Sequence, residues 1–250
     1  MDCNKLKNCY DIILHKNPSI TFDSFSVVKT VHDLREFWKP EKVKVILLAE
    51  SHVYTKDDER EILLKPDSSL PDNYPKHFVR FVYCLGYGED HLLSNPIRKN
   101  AGTFQYWKIF YSCLNDVKKN NYDFSPILKT GPYDNNTRVK NKINLLSSLK
   151  DNGIWLVDAS IVGINNEKKL VNRKKIIELC WNNYIGDLIK ITKPQQVIII
   201  GKTVTDVVGN NLNKIPIKWS WRFQPQAHKQ SSVHHEAFEH YFSVCNRCKK

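Results

Sequence analysis

Apolar residues fall into short continuous runs that alternate along the chain with longer amphipathic stretches. A continuous apolar run of about four to eight residues is typical of a strand buried on both faces, whereas apolar positions three and four apart indicate a helix packed on one side. The strands predicted from such runs are Lys42–Ala49, Ile154–Val157 and Gln196–Ile200, and a fourth strand, Ile217–Phe223, is predicted from its alternating apolar and polar residues. The predicted helices are Thr30–Trp38, Thr103–Leu114, Ile143–Leu149, Arg173–Thr192, a segment after Gly201 that runs through Val208, and His234–Cys245.

Strands that alternate with helices predict a single-domain three-layer α/β/α fold with a central, mostly parallel sheet. The whole chain, 1–250, is assigned to one domain, because 250 residues can bury a substantial core. Within it, residues 1–40 are predicted to form an N-terminal helical segment that ends at Pro40. Residues 54–102 are polar and contain several prolines, so we predict a long insertion or loop region there. The basic, asparagine-containing stretch 129–142 is predicted to be a surface loop.

Basic residues outnumber acidic ones, with 38 Lys and Arg against 26 Asp and Glu and a formal net charge of +12. A positive field of this size attracts polyanions, so DNA or RNA is the predicted partner. The alternative is a lysine-rich composition that serves only solubility. Hydrophobic residues make up 41% of the chain, which is ordinary for a globular protein.

The ends of the chain and its cysteines bear on location and cofactors. The N-terminus lacks a secretory apolar core, and no segment has the roughly 18 uninterrupted apolar residues of a membrane span. We therefore predict a cytoplasmic protein that acts as a monomer without membrane association. Seven scattered cysteines favour reduced thiols over disulfides. The close pair Cys245 and Cys248 lacks further ligands at suitable spacing, so no metal or other cofactor is predicted.

Polar side chains follow three of the predicted strands. Glu50, Ser51 and His52 come after the first strand, Asp158 after the second, and His228 after the last. In a parallel α/β sheet the ligand crevice lies beyond the carboxyl ends of the strands. We therefore predict that these side chains are neighbours and form an active site.

Short motifs around these strand ends resemble those of the uracil-DNA glycosylase superfamily. Gly153–Val162 is similar to the family strand G-V-L-L-L-N-A-V-L-T-V, with Asp158 at the asparagine that reads the base. Ala227–Val233 looks like the family motif A-H-P-S-P-L-S, and Val197–Thr203 is similar to the strand and glycine turn that precede it. Ala49–His52 looks like the first motif, a turn of the kind G-Q-D-P-Y-H or G-E-A-P-G.

The chain also departs from the family pattern. The proline and glycine of the first motif are missing, and Ser51 stands at the position of the usual catalytic Asp or Asn. The prolines after His228 are missing too, which implies a different shape for the loop that enters the DNA minor groove in that family. The resemblance, which spans most of Val43–Phe242, implies a monofunctional DNA glycosylase that flips out a base and hydrolyses its N-glycosidic bond.

The resemblance also suggests roles for individual residues. His228 is predicted to donate a hydrogen bond to the base, and Glu50 to stabilise the cationic sugar or position water, with Ser51 and His52 as secondary candidates. Phe81 and Tyr83 are candidates for stacking on the flipped base, or are core residues. The residues predicted to contact DNA are Lys202, Lys229, Gln230, Ser231 and Ser232.

Asp158 shapes the substrate prediction. An ionised aspartate only accepts hydrogen bonds, and therefore suits the exocyclic amino group of cytosine better than the edge of uracil. Because ordinary cytosine would be a dangerous substrate for a cell, we predict a modified cytosine, such as one in phage or other foreign DNA, with uracil as the other possibility. Alternatively, Asp158 caps the turn after its strand.

Two other functions compete with the glycosylase. A catalytically inactive nucleic-acid-binding protein with the same fold would retain the basic surface without base release. A metal-dependent nuclease would use Glu50, Asp57, Asp58 and Asp158, although these carboxylates lack a recognisable ligand spacing.

Overall fold

Four parallel strands form a single sheet in the computed structural model, which describes residues 3–66, 70–164 and 172–249. The strand order is β2-β1-β3-β4, so β1 and β3 lie in the centre. The strands are β1 (Val45–Ala49), β2 (Ile154–Asp158), β3 (Gln196–Ile200) and β4 (Lys218–Arg222). Helices flank this sheet, and the predicted α/β/α fold with a parallel sheet is confirmed.

The helices connect and cover the strands. They are α1 (Cys3–Lys16), α2 (Phe25–Phe37), α3 (Asp57–Arg60), α4 (Phe104–Leu114), α5 (Asn135–Asp151), α6 (Arg173–Cys180), α7 (Gly186–Thr192), α8 (Lys202–Leu212) and α9 (Ser231–Lys249). A π-helical turn, Trp181–Ile185, joins α6 directly to α7, so the predicted helix over 173–192 is confirmed in extent. Lys193 then adopts a left-handed conformation, and Pro194 follows it.

Burial explains why the strands form where the apolar runs lie. Every residue of β1 and β2 is buried, as continuous Val, Ile and Leu runs require in a sheet covered on both faces. β4 is the partly exposed edge strand, and its residues pair only with β3 in the described part of the sheet. The sheet therefore has an apolar centre, and its carboxyl edge carries the polar residues.

The prediction of a surface loop over 129–142 is wrong, because α5 begins at Asn135. Asp134 starts this helix by accepting a hydrogen bond from the backbone N–H of Thr137 at 2.9 Å. Arg138 and Lys142 are buried rather than solvated, and each lies 2.7 Å from a carboxylate oxygen of Glu89. Basic residues that resemble a polar loop in sequence thus face inward onto an acid from another segment.

The region 54–102 has little regular structure but contributes to the core. It contains α3, a short 3₁₀ turn at Asp90–Leu92 and two isolated bridges. Its aromatic residues Phe78, Phe81, Tyr83 and Tyr87 are all buried. The segment returns to α4 through a close backbone contact, since a Cβ on Gly102 (φ +73°) would lie 2.9 Å from the Cα of Gly88. This predicted insertion is therefore a packed part of the domain.

Glu89→Gln is expected to destabilise the fold by about 2–3 kcal/mol at neutral pH, because two buried cations lose their shared carboxylate. Burial alone would raise the pKa of Glu89, but the hydrogen bond from Arg138 and the charge of Lys142 give a net lowering. Because the pKa of Glu89 is lower in the folded protein than in the unfolded one, its carboxylate stabilises the fold at pH values above the unfolded-state pKa. This stabilisation is lost as the pH falls through the folded-state pKa. The difference between variant and wild type in urea unfolding should therefore shrink in acid, and Glu41→Gln, at an exposed position, should show neither effect.

Candidate functional site

A cavity of about 220 Å³ lies at the carboxyl ends of β1 and β2. Glu50, Ser51 and His52, which follow β1, line it together with Asp158, the last residue of β2. The two strand ends are held side by side, because the backbone N–H of Ser160 donates to the carbonyl oxygen of Glu50 at 2.9 Å. The structure thus brings these predicted site residues to one place.

Buried ionic groups form a chain behind the cavity. Arg35 Nη2 lies 3.0 Å from Asp158 Oδ2, and each side chain is only 2% exposed. The imidazole of His52 lies between two acids, with Nδ1 4.0 Å from Asp158 Oδ2 and Nε2 3.3 Å from Asp23 Oδ2. This chain runs Asp23–His52–Asp158–Arg35 and fixes the positions of the two cavity residues His52 and Asp158.

Asp23 anchors this chain to the backbone of two loops. Its Oδ1 accepts a hydrogen bond from the N–H of Thr55 at 2.7 Å, and its Oδ2 accepts one from the N–H of Gly163 at 2.6 Å. Thr55 belongs to the segment after β1, and Gly163 to the segment after β2. One buried carboxylate therefore ties together the two segments that carry the cavity residues.

Several polar atoms at the cavity are buried without a hydrogen-bond partner among the described residues. They are Glu50 Oε1, Thr103 Oγ1 and both ring nitrogens of His52. The His52 Nε2 atom lies 3.3 Å from Asp23 Oδ2, but this contact does not have the geometry of a hydrogen bond. The other oxygen of Glu50, Oε2, lies 3.4 Å from Gln224 Nε2 and 3.7 Å from Arg173 Nη1. Because a buried polar atom without a partner is costly, such a cluster indicates a site that a ligand or water completes.

Aromatic rings form part of the cavity wall. Phe81 lines it but is only 2% exposed, with its ring 5.6 Å from the guanidinium carbon of Arg35 and 6.4 Å from the His52 ring, and its stacking role stays a prediction. Tyr106, on α4, also lines it and was not predicted. Burial, followed by the negative charges of Asp158 and Glu50, raises the pKa of Tyr106. Its phenol therefore stays protonated and can donate a hydrogen bond into the cavity.

Tyr83, the second predicted stacking residue, lies in the core and not at the cavity. Its side chain is 2% exposed, and its hydroxyl oxygen accepts the backbone N–H of Leu156 at 2.8 Å. Its ring stacks on Phe110, with centroids 5.7 Å apart. The hydroxyl of Tyr83 thus contacts β2 and its ring packs on α4, as expected for a core residue.

His228 is exposed on the loop between β4 and α9 and is not among the described residues that line the cavity. The same loop places Gln224 and Gln226 at the cavity instead. The loop therefore reaches the predicted site, but with amide side chains that sequence reasoning missed. The prediction that His228 is a neighbour of Glu50 and Asp158 is therefore wrong for this structure, and its catalytic role stays a prediction.

The predicted DNA-contact residues lie on the surface. Lys202 begins α8, directly after β3, and pairs with Asp206 at 2.7 Å. Lys229 is exposed, with its Nζ 4.6 Å from the centre of the Phe223 ring. Gln230, Ser231 and Ser232 are also exposed, where α9 begins. Because the strands are parallel, Lys202 and Lys229 follow the same sheet edge as the cavity, beyond β3 and β4.

The carboxylates of the alternative nuclease site are not assembled. Asp57 and Asp58 are exposed on α3 and do not line the cavity that contains Glu50 and Asp158. Among residues 3–66, 70–164 and 172–249, no group of three or more His, Cys, Asp or Glu side chains has the proximity needed to hold a metal ion. Cys245 and Cys248 are separate thiols on α9.

The chain shows neither a membrane-spanning helix in its described part nor a match to a known family. None of the helices in the described ranges has both the length and the apolar character needed to cross a membrane. Neither a protein-family model nor a curated protein matches the sequence.

Proposed function

We propose that this protein is a DNA glycosylase, a divergent member of the uracil-DNA glycosylase superfamily. In this proposal one base of DNA is flipped into the cavity and its N-glycosidic bond is hydrolysed, which leaves an abasic site. The observation that carries the proposal is the unpartnered, buried oxygen of Glu50 in a chamber shared with His52, Asp158 and Phe81. At about 220 Å³ the chamber is smaller than pockets for drug-sized ligands, which span ~300–1,000 Å³, and it suits a single base.

The chemistry of base release matches the groups around the cavity. When the N-glycosidic bond breaks, its electron pair leaves with the base, and positive charge develops on the sugar. The carboxylate of Glu50 stabilises that positive charge and accepts a proton from the water that attacks the sugar. A donor must protonate or hydrogen-bond the departing base. His228, on the loop that reaches the cavity, is the predicted donor, and the His52 ring and the Tyr106 hydroxyl are candidates among the side chains that line the cavity. Phe81, which is 2% exposed, contributes apolar surface to the wall against which the base packs.

Asp158 supports cytosine, or a modified cytosine, as the base. Arg35 holds one carboxylate oxygen of Asp158, and this ion pair keeps an acceptor at the wall of the cavity. An acceptor at that position favours the exocyclic amino group of cytosine over the edge of uracil. A modified cytosine in phage DNA would make the protein a base-excision enzyme of antiviral defence, and uracil is the competing substrate.

The net charge of +12 supports DNA as the partner. Lys202 and Lys229, together with the exposed polar residues at the start of α9, are proposed to contact the phosphate backbone around the cavity. Hydrolysis by this set of residues needs no cofactor. We propose that the protein acts as a monomer in the cytoplasm.

The experiment that tests the proposal uses duplexes that contain uracil, cytosine, hydroxymethylcytosine or glucosylated hydroxymethylcytosine at one position. We expect alkali-sensitive abasic sites at a modified cytosine. Cleavage of the uracil duplex alone would overturn the role given to Asp158. Salt-sensitive binding without an alkali-sensitive site on any duplex would instead favour the inactive DNA-binding protein.

His228→Ala distinguishes the two histidines as donors. Because His228 is the predicted donor to the base, the variant should lower base release by about a hundredfold without changing the unfolding temperature. The unfolding temperature should hold because the side chain is exposed. His15→Ala, at an exposed position on α1, is the matched control. Unchanged release by His228→Ala would assign the donor role to His52 or Tyr106.

A further inference from the structure

A second cavity of about 220 Å³ adjoins the first. Thr103, the residue before α4, lines both of them. The walls of the second cavity are mostly apolar and include Tyr87, Phe104, Trp107 and Leu128. The two cavities therefore have the same size and meet at one residue.

The aromatic wall of the second cavity suits a flat ligand. Phe104, the first residue of α4, is 51% exposed, and Trp107, which is 3% exposed, lies one turn further along the helix. Nucleic-acid bases stack on an exposed ring such as that of Phe104 whatever their sequence, because every base has a π-face. A sugar would instead need a dense set of hydrogen-bonding side chains, which this wall does not offer.

Lys142 adds a polar group to this wall. Its side chain is buried, its Nζ lies 2.7 Å from Glu89 Oε1, and the ammonium sits 4.8 Å from the centre of the Trp107 ring. An ammonium group has three N–H donors, and Glu89 takes one of them. The remaining donors suit a carbonyl oxygen or ring nitrogen of a ligand that is otherwise aromatic.

The boundary between the cavities suits a phosphate. Thr103 precedes the eleven-residue helix α4 but makes no capping hydrogen bond with its side chain, and its Oγ1 is buried without a partner among the described residues. The first turn of a helix also has backbone N–H groups without intrahelical acceptors, which favour an anion. Thr103 thus lies where the linker between two ring-binding cavities would pass.

We infer that the second cavity binds the nucleobase adjacent to the flipped base in the same strand. The base stacks on Phe104, its acceptor edge meets Lys142, and the phosphate between the two nucleotides lies at Thr103. This inference rests on the proposed function, because it takes the first cavity as the site of the flipped base. It has a consequence for the substrate: two neighbouring bases leave the stack together, so single-stranded DNA binds more tightly than a duplex.

The test measures binding, so that it does not depend on catalysis. The Glu50→Gln protein is titrated with three short single strands, each of which contains one cytosine. The first strand has all its bases, the second has an abasic analogue on the 5′ side of the cytosine, and the third has one on the 3′ side. Removal of the neighbour on one side should weaken binding about tenfold, and removal on the other side should have a much smaller effect. Adding Phe104→Ala should weaken binding of the complete strand about tenfold and abolish the difference.

Tyr133→Ala, a change at another exposed aromatic residue, is the matched control and should keep the difference. Equal binding of all strands, a difference that persists in Phe104→Ala, or no binding at all would overturn the inference. The proposed function is judged separately by base release from the wild-type protein. If an abasic neighbour weakens binding but no base is released, the second cavity binds the neighbouring base and the glycosylase proposal is rejected. If a base is released but an abasic neighbour does not weaken binding, the glycosylase proposal stands and the inference about the second cavity is rejected.

Discussion

Replacing Glu50 with glutamine is expected to lower base release by about a hundredfold to ten-thousandfold, the usual contribution of a general base. Glutamine has the same shape and can still meet Gln224, but it cannot accept a proton from water or balance the positive charge on the sugar. Glu50 is 5% exposed, so this charge acts in a cavity with little solvent screening. Single-turnover release of the base from a cleaved substrate measures the effect.

Three controls separate a catalytic role for Glu50 from a structural one. The Glu50→Gln protein should unfold at nearly the wild-type temperature and bind DNA with the same salt dependence. Glu41→Gln makes the same chemical change at an exposed position and should leave base release intact. If Glu50→Gln releases the base at the wild-type rate, Glu50 does not carry the chemistry.

Replacing Arg35 with methionine is expected to destabilise the fold by about 3–5 kcal/mol, the cost of removing one partner from a buried ion pair. Asp158 would remain as a carboxylate at 2% exposure without its counter-ion. The contact between the guanidinium and the ring of Phe81 would be lost as well. Urea unfolding of the variant at neutral pH measures this loss.

The double variant Arg35→Met with Asp158→Leu tests the same ion pair by removing both charges at once. Replacing both charges with apolar groups should recover most of the lost stability, because no buried carboxylate is left unpaired. Lys5→Met is the matched control, since Lys5 pairs with Asp187 at the surface, and it should change stability by less than about 1 kcal/mol. Additive losses in the double variant would show that the two side chains do not act as a pair.

The sheet and part of the cavity could be predicted from the sequence. Continuous Val, Ile and Leu runs are typical of a buried parallel strand, and the three strands predicted from such runs are present, as is β4, which was predicted from alternating residues. Parallel strands bring their carboxyl ends to one edge, so Glu50 and Asp158 were correctly predicted to be neighbours, whereas His228, on the loop after the edge strand β4, does not line the cavity with them. Local pattern and a topological rule were sufficient for Glu50 and Asp158.

The partners of those residues could not be predicted, because they depend on contacts between distant segments. Arg35 is 123 positions from Asp158, and in sequence it occupies a polar position of an ordinary amphipathic helix. Tyr106 lies on the same face of α4 as Ile109 and Phe110, so the apolar pattern gave no sign that it also lines the cavity. Tyr83, in contrast, was predicted as a possible site residue, but its hydroxyl accepts a hydrogen bond from β2 in the core.

The central claim is that the cavity lined by Glu50 and Asp158 releases a base from DNA by hydrolysis. The most direct test is mass spectrometry of the small molecules released when the wild-type protein is incubated with DNA that carries modified cytosines. The expected result is a free cytosine-type base from the wild-type protein and none from Glu50→Gln. Release of no base from any DNA, or equal release by the two proteins, would contradict this account.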